Sequence, residues 1–173
     1  MPDCSGREDV EFGRCVIVAT CAVFRKTSRG TETLILKRSE EEQEGGGLWT
    51  IPGGKVQSCD LGERIRADGI SHFTWLCEPA LERAVLREIK EETGIMVNFA
   101  YPLWNKAKFF IRKDGTFTLC MLHWTECPSS TAVTIGGEST DYRWVWAREL
   151  DDHNFIGNVK DDIIFYMRCF DKV

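Results

Sequence analysis

The chain has 173 residues, and its 22 Lys and Arg against 27 Asp and Glu give a net charge of -5. That length fits one domain able to bury roughly two-thirds of the surface its unfolded chain exposes, and 43% hydrophobic with 28% charged residues is a globular composition. The acidic balance argues against an extended nucleic-acid-binding face, while leaving room for an anionic ligand held locally by a metal ion and a few cations.

No apolar run approaches the roughly 20 residues needed to span a bilayer, and the first 14 residues are charged and lack the apolar core of a signal peptide. The expectation is a soluble, cytoplasmic protein with no membrane partner. Eight cysteines (4, 15, 21, 59, 77, 120, 127, 169) form no C-x-x-C pair, and His72, His123 and His153 do not fall at zinc-finger spacings beside them. Cys15, Cys21 and Cys120 lie in strand-like runs, where cysteine acts as a small hydrophobe.

In chain order, residues 1–13 are a polar tail. Val16 to Phe24 is too continuously apolar for an exposed strand and reads as a central one. A turn over Lys26 to Gly30 leads to a returning strand, Glu32 to Arg38, that ends in two cations. Ser39 to Gly47 is an acidic, then glycine-rich loop, and Leu48 to Val56 carries Ile51-Pro52-Gly53-Gly54-Lys55, where glycines let a ligand approach bare backbone. Residues 57–77 hold neither the helical nor the strand period and read as an inserted loop, with Phe73 and Trp75 packing back on the body.

Pro79 suits a first helical position and Gly94 a position just past the end, so a helix is expected over about 79–93. Its stripe of Leu81, Val85 and Ile89 docks on a sheet. Glu88, Glu91 and Glu92 stand at i, i+3 and i+4, three carboxylates within an arc of roughly 100°. Such neighbours repel, so they are either a solvated face with Arg87 and Lys90 as counterions or the ligands of a hard divalent cation. Strands are expected over 95–103 and 106–112, then an Asp-Gly turn at 113–115 and a strand over 116–124. After a polar loop, Glu138 to Trp146 opens another strand, and Asn158 to Phe170 is an amphipathic closing helix.

Gly53-Gly54-Lys55 followed by Arg87-Glu88-Ile89-Lys90-Glu91-Glu92-Thr93-Gly94-Ile95 resembles the Nudix hydrolases, whose box is G-x5-E-x7-R-E-U-x-E-E-x-G-U with U apolar. The second half matches at every specified position. Between Gly54 and Arg87 lie 32 residues where the pattern has 13, so about 19 are inserted. The box's isolated glutamate is therefore either Glu63 or Glu78, with Glu78 favoured by its place at the helix start.

The resemblance implies an α/β/α sandwich around a mixed β-sheet, spanning 14–173 as one domain, and Mg2+-dependent hydrolysis of a diphosphate bond in a nucleoside triphosphate or nucleoside diphosphate derivative. It implies Mg2+ or Mn2+ held by Glu88, Glu91, Glu92, Glu78 and the Gly53 carbonyl, with Arg87 orienting a box carboxylate. Glu138 and Glu88 compete as general base, and Arg38 and Lys55 are the candidates for phosphate contacts. Trp49 and Phe109 are candidates for stacking on a base, although buried core is the favoured reading of both. ADP-ribose is the second substrate, a catalytically silent nucleotide-sensing or protein-binding module is the reading from another class, and the partner state is monomer or homodimer.

Overall fold

The computed structural model describes residues 15–61 and 73–171, excepting the side chains of 73–78 and 104–106. The expectations for the tail, for Glu63, and for the Glu78, Phe73 and Trp75 side chains lie outside the described residues. Among the described residues, ten elements follow in order: β1 (Cys15–Thr27), β2 (Gly30–Arg38), β3 (Trp49–Thr50), β4 (Gly53–Lys55), α1 (Phe73–Thr93), β5 (Tyr101–Ile111), β6 (Phe117–Glu126), β7 (Ser139–Val145), a 3-10 helix (Ala147–Asp152) and α2 (Val159–Phe170).

The seven strands form one mixed sheet in the order β3-β2-β1-β6-β5, with β4 also paired to β1 and β7 to β2. Among the described strands only β1 and β6 run parallel, in register from Cys15 opposite Phe117 to Phe24 opposite Glu126. The apolar run that marked β1 as central is apolar on both faces because both are covered. Ala22 and Phe24 join Ile35, Ile163, Tyr166, Met167 and Phe170 in the core under α2, while Ala19, Cys21 and Val23 join Leu34, Leu36, Leu81, Val85 and Ile89 under α1. Strand alternation thus sends successive residues of β1 and β2 to different helices, and the result is the expected α/β/α sandwich.

Three boundaries differ from expectation. α1 begins at Phe73, six residues before Pro79, so the last part of the supposed inserted loop is helix and Pro79 lies inside it. Proline there removes one backbone bond at a cost of about 3 kcal/mol, which burial of Ala80, Leu81, Ala84 and Val85 in the same helix offsets. The two strands expected over 95–112 are one strand, β5, whose register breaks between Pro102 and Ala107. Ile95 to Ala100 is irregular, and its apolar residues Ile95, Val97 and Ala100 face the core under α1 rather than a strand partner.

Phe109, favoured as core, is 64% exposed because β5 is the sheet edge, whereas Trp49 is buried as expected. Cys21 and Cys120 are buried as small hydrophobes, but Cys15 is exposed at the first residue of β1.

Ile89 is fully buried where α1 meets the sheet. Its truncation, Ile89→Ala, is expected to lower unfolding free energy by about 2–5 kcal/mol in urea titrations; a loss below about 0.5 kcal/mol would contradict this packing.

Candidate active site

The end of α1 is held by backbone bonds that also place its carboxylates. Gly94, at φ +67, terminates the helix with its N–H donating to the Lys90 carbonyl at 2.9 Å. The polar loop before β7 then satisfies two further carbonyls, the Thr134 N–H donating to Thr93 at 2.8 Å and the Gly136 N–H to Glu92 at 3.0 Å. Any side chain at Gly136 would run into the Glu91 carbonyl, so a glycine is needed for this loop to reach the helix.

Glu92 is the most enclosed of the three carboxylates. The Gly53 N–H donates to its Oε2 at 3.0 Å. Burial nonetheless pushes its carboxyl up to about 8, with Glu88 and Glu138 adding to the rise and Arg38 opposing it. Glu88 is raised too, first by burial, against the hydrogen bond and charge of Arg87. Its carboxylate lies so close over Gly54 that a Cβ there would collide with it. Glu91 projects outward, its side chain 55% exposed.

Arg87 joins these groups to the first half of the motif. Its Nη1 donates to Glu88 at 2.7 Å and Glu91 at 3.0 Å, and its Nη2 donates to the Lys55 carbonyl at 3.0 Å. Nε and Nη2 together form a fork on Asp60, at 3.0 and 2.9 Å. These bonds, Asp60 foremost, raise Arg87 above its ordinary value. Burial pushes Asp60 upward, but Arg87 and the Gln57 N–H outweigh it and hold the carboxyl below its usual range. The Asp60 carbonyl also accepts from Arg83 Nε at 2.6 Å, so Asp60 is tied to two successive turns of α1.

Sequence reasoning missed Asp60, although the signal was there. It stands six residues after Gly54, the spacing G-x5-E gives the isolated acid, with aspartate in place of glutamate. Counted from Asp60, 26 residues precede Arg87 where the pattern has seven, so the insertion follows this acid rather than displacing it.

The other expected residues are distributed around this centre. Arg38, at the end of β2, donates from Nη2 to Glu42 at 2.7 Å and from Nε to the Glu44 carbonyl at 3.0 Å, and it lies 3.8 Å from Glu138. It is thus paired within its own loop. Glu138 is 69% exposed just before β7, and Lys55 is exposed on β4, its carbonyl taken by Arg87. Trp49 belongs to the other side of the sheet, where Lys37, Asp141, Arg143 and His153 join it around a cavity of about 530 Å3.

Among the described residues no three acidic, histidine or cysteine side chains already converge as a metal cage. The donor set nevertheless fits a hard divalent cation. It is all oxygen, and the mutual repulsion and burial that raise Glu88 and Glu92 are what such a charge would relieve.

The sign of the pH effect without metal is fixed by Glu92. Its ordinary value is 4.5 and its folded value about 8, so between them the unfolded chain has released a proton that the folded chain retains. This contribution to stability is full below pH 4.5 and is lost as pH rises toward 8. In chelator, Tm should fall across that window, and Glu92→Gln should flatten the fall; equal slopes for both proteins would show that Glu92 is not held protonated.

Comparisons with known proteins bear on the fold and the family. No curated protein matches the chain. Among solved structures, the NUDIX domain of Shewanella oneidensis NrtR, complexed with ADP ribose, is similar at 17% identity over 92% of this chain and 90% of that one, with a TM-score of 0.69. A MutT protein from Methanosarcina mazei Go1 is 20% identical over 92% and 97%, TM-score 0.62. A C. elegans Ap4A hydrolase is 19% identical over 91% and 96%, TM-score 0.58. The NUDIX domain model matches residues 16–166, from the second residue of β1 into α2, and on that match the chain belongs to the Nudix hydrolase family.

Proposed function

We propose that this Nudix pyrophosphohydrolase uses Mg2+ or Mn2+ to cleave a diphosphate bond in a nucleoside triphosphate or nucleoside diphosphate derivative, releasing a nucleoside monophosphate. The observation that carries the reading is the meeting of α1 with the Gly53-Gly54 turn: Glu88, bonded by Arg87, lies over Gly54, and Glu92 accepts from the Gly53 N–H, with Glu91 held by the same Arg87. Glu88, Glu91 and Glu92 would hold the ion, with the Gly53 carbonyl as a further ligand. Bound there, it would neutralise diphosphate oxygens and lower the pKa of a coordinated water.

The remaining roles belong to this chain's own groups. Arg87 orients Glu88 and Glu91, and Asp60 orients Arg87. We assign Asp60 the place of the box's isolated acid, ahead of Glu78 and Glu63, because both spacing and the two-bond fork support it. Glu138 is favoured over Glu88 as general base, since it is exposed while Glu88 is committed to Arg87. Lys55, exposed beside the turn, is the phosphate contact, and Arg38 joins it by releasing Glu42. Six described cysteines are free, which suits a reducing, cytoplasmic setting, and no described helix is long and apolar enough to cross a membrane.

ADP-ribose is the second substrate reading, favoured by the likeness to a domain solved with that compound. Product identification across a panel of nucleoside triphosphates, dinucleoside polyphosphates and ADP-ribose, with Mg2+ or Mn2+, separates the two. Glu91→Gln is the cleanest variant because the side chain is largely exposed and the fold should tolerate it. Its kcat should fall by a factor of about 100 or more. An unchanged rate would remove Glu91 from the site, and tight binding without turnover across the panel would instead establish a nucleotide-sensing module.

A further inference from the structure

Trp49 opens the short strand that leads to the Gly53-Gly54 turn, yet its indole lies in the core under α2, on the face of the sheet away from α1. The cavity of about 530 Å3 beside it is lined by none of the α1 carboxylates. Strand alternation builds one of its walls. Lys37 on β2 stands directly opposite Asp141 on β7, and Arg143 follows two residues later on the same face, opposite Ile35. The other wall is the 3-10 helix and the residue after it, which bring Glu149, Asp152 and His153. A volume of this order holds a small organic molecule.

The charged groups on the strand wall are loosely held. Lys37 Nζ is 3.6 Å from Glu40, and Arg143 Nε is 4.0 Å from Asp141 Oδ2, both longer than a hydrogen bond. On the opposite wall His153 Nδ1 is 2.9 Å from the Glu149 carbonyl. A carbonyl only accepts, so Nδ1 carries the hydrogen and Nε2 of the neutral ring is left as an acceptor. His153 meets the Trp49 indole edge-on at 5.0 Å. The Arg143 guanidinium stands over the same indole at 5.5 Å, within cation–π reach but outside stacking contact. Its side chain is exposed, so it is free to move off the indole and close on a flat ring.

Two cations and three carboxylates line this cavity, so neither a phosphate nor an ammonium meets a field of one sign. What the walls present is donors and acceptors side by side around an aromatic ring. We infer that the cavity is a second binding site and that its ligand is a nucleobase, a neutral flat heterocycle whose edge carries donors and acceptors together. The base stacks between Trp49 and the Arg143 guanidinium, with Lys37 donating to its edge and Asp141 and His153 accepting from it. Such a base belongs either to a free nucleoside or to the far end of a substrate that carries two. Glu138, on the cation side, precedes Asp141 by three residues, about 10 Å along the strand, which a polyphosphate chain spans.

The test is equilibrium dialysis of the intact protein against adenosine, guanosine, cytidine and uridine in chelator, which strips any ion from the α1 carboxylates. At least one nucleoside should bind at one per chain with a Kd below about 1 mM. Its affinity should fall by about tenfold or more in Arg143→Ala and in Asp141→Ala, both exposed positions the fold should tolerate, and stay unchanged in Glu91→Gln. No binding of any of the four, or equal binding by the wild type and both variants, overturns the proposal. So does binding of AMP without adenosine, which would make the cavity an anion site. KM values separate the two sources. A KM that rises in both variants for a dinucleoside polyphosphate, but not for a nucleoside triphosphate, assigns the cavity to the far base. A KM unchanged for both substrates assigns it to a free nucleoside. A rise for both substrates places these residues in the catalytic subsite and removes the second site. Only the KM comparison rests on the proposed hydrolysis, so a failure of that activity leaves the dialysis result standing.

Discussion

The guanidinium of Arg87 is the interaction on which the candidate site depends. Three glutamates near the end of one helix repel one another, and burial makes two of them harder to ionise. A planar cation with five donors in a fixed fork can meet this problem where a lysine could not. Arg87 spends two donors on Asp60, reaches Glu88 and Glu91 with another group, and takes the Lys55 carbonyl as well. The strand-turn segment and the helix are thereby locked in one relative position, with carboxylates aimed at the Gly53-Gly54 turn.

That lock also explains how the motif tolerates a long insertion. Asp60 is 3% exposed and bonded to both Arg83 and Arg87, so the chain is fixed to α1 before the extra residues begin. The helix anchors them again at Phe73. Loop closure costs grow slowly with length, so extra residues between two fixed points leave the site geometry intact.

Much of this was legible in the sequence because it rests on local rules. The central strand announced itself by apolar residues at both parities, and the docking stripe Leu81, Val85, Ile89 by its spacing. The carboxylate arc followed from helical arithmetic. Asp60 was not legible because the pattern specifies glutamate at that interval from Gly54 and the chain carries aspartate there. The start of α1 was misplaced because Pro79 favours a first helical turn locally, whereas the buried residues that follow it hold it inside the helix. Phe109 was misjudged for a different reason: hydrophobicity marks a strand, but only the strand order says whether that strand lies at the edge. The pairing of Arg38 with Glu42 was not legible either, since it depends on how an acidic loop folds back.

The central claim is that the α1 carboxylates form a cation site organised by Arg87. Titration of the protein with Mn2+, followed by electron paramagnetic resonance, tests it without reference to any substrate. The account predicts saturable Mn2+ binding by the wild type that is strongly weakened in Glu92→Gln and in Arg87→Met. Binding of equal strength in all three proteins would contradict it.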